Sequence, residues 1–73
     1  MQKLAERLYK LRKERGLIQE DAAKELNIGL RTYCRYEKNE REPTASDLVQ
    51  IADYYGVSLD YLVGRSEQRE VIP

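Results

Sequence analysis

Asn27-Ile28-Gly29 is the feature that most constrains how this chain can fold. It interrupts the helical pattern that runs from Gly16 to Tyr36. On one side Ala22, Ala23 and Leu26 recur at helical spacing; on the other Tyr33 and Tyr36 do. Asn accepts the left-handed conformation that stops a helix, and Gly29 can start the next one as an N-cap. The stretch therefore reads as two short helices, from Gln19 to about Leu26 and from Leu30 to about Lys38, joined by a break too short for anything but a tight corner.

Helices this short are marginal alone and need neighbours to cover their apolar faces. The rest of the chain supplies them. Leu4, Leu8 and Leu11 mark an amphipathic helix of about three turns ending near Arg15-Gly16. Glu20 and Asp21 suit the first turn of the second helix. Asn39 is a helix terminator, and Pro43 keeps the residue before it out of helix. Thr44-Ala45-Ser46-Asp47 approximates a capping box for a fourth helix, with Leu48, Ile51, Ala52 and Tyr55 inward and Gly56 at its end. Ser58 caps a short fifth helix running to Gly64, whose inner face includes Leu62. No segment alternates with period two. The expected fold is all-α and five-helical, one domain over residues 1–64 followed by a polar, loose tail over 65–73.

Function classes narrow quickly. One cysteine, Cys34, excludes an internal disulfide, and with no histidine nothing points to zinc. Neither a metal nor another cofactor is expected. The first residues carry no apolar run, so no signal peptide or membrane span is expected and the chain reads as cytoplasmic. The absence of a glycine-rich phosphate loop and of a nucleophile–base pair argues against an enzyme. The net charge is zero, but residues 1–41 hold 11 Lys/Arg against 7 Asp/Glu, while residues 42–73 hold 2 against 6. A basic half is the footprint expected of a phosphate-binding surface.

The third helix sharpens this. Arg31, Arg35 and Lys38 sit at i, i+4 and i+7, stacked on one face, with Tyr33 and Tyr36 opposite. A short helix with a buried aromatic face and a basic stripe fits the DNA major groove, about 12 Å wide. Arg31, in the first turn, is the first candidate base reader, since arginine pairs bidentately with guanine. Arg35 reads either as a second base reader or as a phosphate clamp. Leu30 could touch a thymine methyl, pack towards the first helix or meet a protein. Cys34 should face outward beside it, as a small neutral groove residue. Thr32 reads as a phosphate ligand or local cap, Lys38 and Arg41 as phosphate contacts, and Lys10, Lys13 and Arg15 as secondary ones.

Several pieces in order carry a family resemblance: Arg12-x-x-x-Gly16-Leu17-x-Gln19-Glu20, Ala23-x-x-Leu26-x-Ile28, Arg35-Tyr36-Glu37, Arg41-Glu42-Pro43, Ile51-Ala52-Asp53, and Gly56 through Leu62. From Leu4 to Gly64 the chain resembles the phage repressor and Cro-like helix-turn-helix regulators (XRE type). The resemblance implies a five-helix, lambda-repressor-like domain. Its third helix would lie in the major groove of double-stranded DNA at a palindromic operator. It also implies that Gln19 touches phosphate and braces the recognition helix. Arg12 and Glu37 would form a structural ion pair, and the region of Tyr54, Val57, Leu59 and Tyr61 would pair two copies. Tyr54 and Tyr61 are expected to be exposed.

The expected role is a DNA-binding transcriptional regulator, a repressor rather than an activator. The alternative is an antitoxin or phage-control module whose main partner is a protein. Departures from the family pattern are Ile18, which can neither cap nor reach phosphate where Ser or Thr is usual, Lys38-Asn39, and Glu40. A further departure pairs a small Ala22 with a large Tyr33, which reads as a volume-conserving swap.

Overall fold

The computed structural model describes residues 1–71 and holds five helices: α1 (Gln2–Glu14), α2 (Gln19–Glu25), α3 (Leu30–Glu37), α4 (Ala45–Tyr55) and α5 (Leu59–Val63). Among the described residues there is no strand. No helix among them is long and apolar enough to cross a membrane.

The corners form for the reasons expected. Asn27 and Asn39 adopt positive φ, 55° and 60°, and Gly16 and Gly56 do the same at the ends of α1 and α4. Thr44 Oγ1 accepts the Asp47 N–H at 3.1 Å, and Ser58 Oγ accepts the Tyr61 N–H at 3.0 Å. The capping box is only half closed, because the Asp47 carboxylate takes the Tyr36 hydroxyl at 2.6 Å and so ties α3 to the start of α4. Burial and then this bond push the Tyr36 hydroxyl pKa up to about 12, which keeps it a donor.

The core lies where the helices meet. α1 packs on α3 and α5, α2 on α3, and α4 on α5. Leu4, Leu8 and Leu11 of α1 are buried with Ala22, Ala23, Leu26, Tyr33, Tyr36, Ile51, Tyr55 and Leu62. Ala22 and Tyr33 are both fully buried in this cluster, as a small–large swap requires.

The loose tail is a correction. Residues 65–71 form a strap across α1 and α5; the rest of the expected tail, residues 72–73, lies outside the described residues. The anchor is Arg7, which is buried. Its guanidinium donates to the Tyr61 carbonyl, to the Ser66 carbonyl at 2.7 Å and to Glu67 at 2.5 Å, while stacking over the Tyr61 ring at 4.1 Å. Arg69 adds a bidentate pair with Glu14 at 2.9 and 2.7 Å, and its carbonyl accepts the Ser58 N–H at 2.8 Å. From sequence the segment looks loose because it offers few apolar side chains. It is held instead by polar groups meeting a buried arginine that needs them.

Ala22→Leu should overpack this core and cost about 1–3 kcal/mol in denaturant unfolding; unchanged or raised stability would rule out the swap. Arg7→Ala should free the strap and remove the Arg7 bonds to the Tyr61 and Ser66 carbonyls and to Glu67, at about 1–3 kcal/mol in all. Its sharper readout is hydrogen exchange: the Ser58 amide should lose protection while that of Leu8 keeps most of its own.

Candidate nucleic-acid interface

Helix α3 has eight residues, too few to fix its own orientation. Its inner face supplies that orientation. Glu37, at its last turn, meets Arg12 of α1 through Nε–Oε2 at 2.7 Å and Nη2–Oε1 at 3.1 Å. The two side chains are only 9% and 4% exposed. Arg12 also donates to the Leu17 carbonyl at 2.8 Å, which pins the corner before α2. Two more donors reach the same carboxylate, the Tyr33 hydroxyl at 2.5 Å and Gln19 Nε2 at 3.1 Å. One carboxylate therefore holds α1, the start of α2 and two turns of α3 in register.

The electrostatics follow. Burial alone would raise the Glu37 pKa, but the hydrogen bonds from Arg12, Tyr33 and Gln19 and the Arg12 charge outweigh it and hold the carboxyl below its ordinary value. The hydrogen bonds that Arg12 donates to Glu37, and the charge of that carboxylate, outweigh burial at Arg12, raise its pKa and keep it cationic. Burial, then the Glu37 bond, raises the Tyr33 hydroxyl well above its ordinary value, so it stays a donor. Beside it, the Tyr55 hydroxyl is buried with no hydrogen-bond partner among the described residues.

With this face fixed, the other looks outward. Arg31, Arg35 and Lys38 are exposed, as is Arg41 just beyond the helix. Leu30 is 45% exposed at the tip, and Ile18, which caps α2 without a side-chain bond, is 59% exposed. Thr32 is half-buried. The outward surface of the helix-turn-helix thus presents a basic stripe on α3 and two exposed aliphatic side chains, Leu30 and Ile18.

Other expected residues sit differently. Cys34 is half-buried rather than outward, and its thiol donates to Gln19 Oε1 at 3.3 Å. Gln19 is therefore engaged at both ends of its amide, with α3 itself. Arg15 is turned away from the stripe, donating to the Tyr54 carbonyl at 2.9 Å and lying over the Tyr54 ring at 4.7 Å. Lys10 lies on the strap side of α1 with Arg7 and Arg69.

In the second half of the chain, Tyr61 is buried rather than exposed, sandwiched by Arg7 and Arg69, and Val57 is buried too. Tyr54 is half-buried, while Leu59 is 42% exposed. Sequence reasoning missed Tyr33 as a partner of Glu37, although their i, i+4 spacing was a usable signal. It also missed Arg7, for which the sequence offers no comparable sign.

Residues 8–62, from the second turn of α1 to α5, match the helix-turn-helix family profile. The chain belongs to the helix-turn-helix family. Among its relatives is the HTH-type transcriptional regulator ImmR of Bacillus subtilis, 39% identical over 64 residues, covering 88% of this chain and 50% of that protein. Another is the cryptic phage CTXphi transcriptional repressor RstR of Vibrio cholerae, 43% identical over 63 residues, covering 86% of this chain and 56% of that protein. A crystal structure of a transcriptional regulator from Listeria innocua superposes with a TM-score of 0.79 at 38% identity, covering 94% of this chain and 63% of that one. The chain spans about half the length of the curated relatives it matches. The helix-turn-helix pair is α2 and α3, and the buried carboxylate sits where these two helices and α1 converge.

Breaking the pair should be costly and replacing it should not. Glu37→Ala leaves Arg12 buried and unpaired and should cost about 3–5 kcal/mol, whereas Arg12→Met with Glu37→Leu should recover most of that loss. The pH dependence has a definite sign. A carboxyl depressed in the folded state stabilises above its unfolded pKa of about 4.3, and that stability is lost as pH falls through the lower folded value. Glu37→Gln should therefore lower the melting temperature at pH about 7, and its gap from the wild type should narrow below pH about 4. A gap that stays constant down to pH about 2 would contradict the role given to the Glu37 charge.

Proposed function

We propose that this domain is a sequence-specific, double-stranded DNA-binding transcriptional regulator acting as a repressor, with α3 as its recognition helix. The observation that carries this reading is the exposed Arg31, Arg35 and Lys38 stripe on a helix whose opposite face is held by Tyr33, Tyr36 and Glu37. Preorganised cations on a narrow helix suit the major groove, where phosphates give affinity and base edges give sequence. The relatives named as transcriptional regulators and as a phage repressor support the same reading.

The roles divide by position. Arg31 and Arg35 read base edges, with Leu30 against a thymine methyl and Cys34 at the floor of the contact. Lys38, Arg41 and Thr32 meet phosphate. Gln19 acts first as a brace, and a phosphate contact from it requires giving up one of its two bonds to α3.

Two copies pair about a two-fold axis at α4 and α5, through Leu59 and the edge of Tyr54, with buried Val57 and Tyr61 shaping that surface from beneath. Two recognition helices then lie roughly 34 Å apart on a palindromic site. The alternative, a module whose main partner is a protein, draws on one observation, an uncovered cleft in the acidic half of the molecule.

Selection of bound duplexes from a random pool should return a two-fold symmetric site, and affinity for it should fall steeply with salt. Arg31→Ala should cost about 1–3 kcal/mol on the selected site and relax preference at one base position per half-site. Lys38→Ala should weaken all sequences alike and reduce the salt slope by about 1. Failure to bind any duplex at low salt would defeat the DNA reading.

A further inference from the structure

We propose that the cleft bounded by α4, α5 and the strap is a docking site for a segment of a protein partner that is aliphatic on one face and flanked by Lys or Arg. The cleft has a volume of about 390 Å³. Its aliphatic lining is Val49, Val57, Leu59 and Val71; Val57 is buried, and the other three are 47%, 42% and 66% exposed. Three half-open aliphatic side chains around one hollow form an apolar surface that the described residues leave uncovered.

The charge around it is of one sign. Asp53, Asp60 and Glu70 line the cleft, and no Lys or Arg does. The nearest cation, Arg65, stands 3.7 Å from Asp60 with both side chains largely exposed, so water and salt screen that pair. Arg69 is turned the other way, onto Glu14. The strap makes the cleft, since Ser66, Gln68, Glu70 and Val71 form one wall, and that wall is held by Arg7 and by the Ser58–Arg69 backbone bond.

An aliphatic hollow with a net acidic rim selects its occupant. DNA and other anions are repelled by it. A second copy seated cleft to cleft would bring the same three carboxylates against themselves, a like-charge penalty that the two-fold contact proposed above also carries in part and that a basic segment does not. A basic segment with an aliphatic face satisfies both the hollow and the rim. Leu59 belongs to the cleft and also to the proposed two-fold contact, so an occupied cleft competes with pairing. That consequence rests on the dimer reading; the docking does not.

The test uses isotope-labelled full chain titrated with an amphipathic Lys/Leu peptide of about three helical turns, and with a Glu/Leu peptide of the same pattern. Amide shifts are read by residue, and sedimentation is measured in parallel. The expected result is saturable shifts confined to Val49, Val57–Asp60 and Ser66–Val71 for the Lys/Leu peptide only. Affinity should fall about tenfold in an Asp53→Lys, Glu70→Lys variant whose circular dichroism is unchanged.

Equal binding of the Glu/Leu peptide, indifference to charge reversal, or shifts scattered over the chain would overturn the proposal. So would cleft shifts that appear on concentrating the protein alone and resist the Lys/Leu peptide, because a second copy would then be the occupant. A chain that sediments as a monomer throughout yet binds the Lys/Leu peptide at the cleft removes the dimer reading and leaves the docking site standing.

Discussion

The Glu37 carboxylate is the point on which the geometry of this domain turns. Three side chains converge on it: Arg12 from α1, Gln19 from α2 and Tyr33 from α3, which carries Glu37 as well. Such a buried ion pair adds little net stability, because the cost of stripping water from two charges offsets most of their attraction. What it adds is direction. Aliphatic packing between α1 and α3 tolerates rotation about the helix axis, whereas a bidentate pair with two further donors accepts one setting. A rotation of α3 by one residue, about 100°, would carry Arg31 and Arg35 off the outward face. The exposed stripe is therefore set from the inside.

The same bonds explain why the reading face differs from the simple basic stripe visible in the sequence. Gln19 spends its amide on Glu37 and Cys34, and Cys34 is drawn partly inward to meet it. Ile18 stands at the start of α2 without a capping bond. The outward surface keeps Arg31, Arg35 and Lys38 among Leu30 and Ile18. On the proposed DNA-binding reading, few polar groups are available for base contacts, and sequence discrimination would rest mostly on the two arginines and on apolar contact with thymine methyls.

Much of the fold was legible because it depends on local chemistry. Asn27, Asn39 and Gly56 end their helices in the conformation their side chains or lack of one permit, and Thr44 and Ser58 cap as their hydroxyls allow. The Arg12–Glu37 pair was legible only through resemblance, since nothing in the spacing of residues 25 apart announces contact. The strap was not legible at all. Its seven described residues look like solvated chain, and their order comes from a buried Arg7 more than fifty positions away. Tyr61 was misplaced for the same reason: an aromatic beside a polar tail looks exposed until two arginines close over it. Periodicity sees faces of single helices and cannot see which polar groups meet across them.

Net zero charge conceals a strong separation along the molecule. The basic stripe and the acidic cleft belong to different elements, α3 on one hand and α4, α5 and the strap on the other. Their signs enforce an order of use. Approach to DNA in any orientation that presents α4 and α5 is opposed at distances of about a Debye length, 8–10 Å at ordinary salt, before contact forms. The two surfaces carry opposite charge, and α1 touches the elements that form both: its Arg12 holds α3, while its Arg7 holds the wall of the cleft. Arg7 and Arg12 stand five residues apart on α1, about 7.5 Å along its axis, so the anchors of the strap and of α3 share one short, rigid stretch of helix.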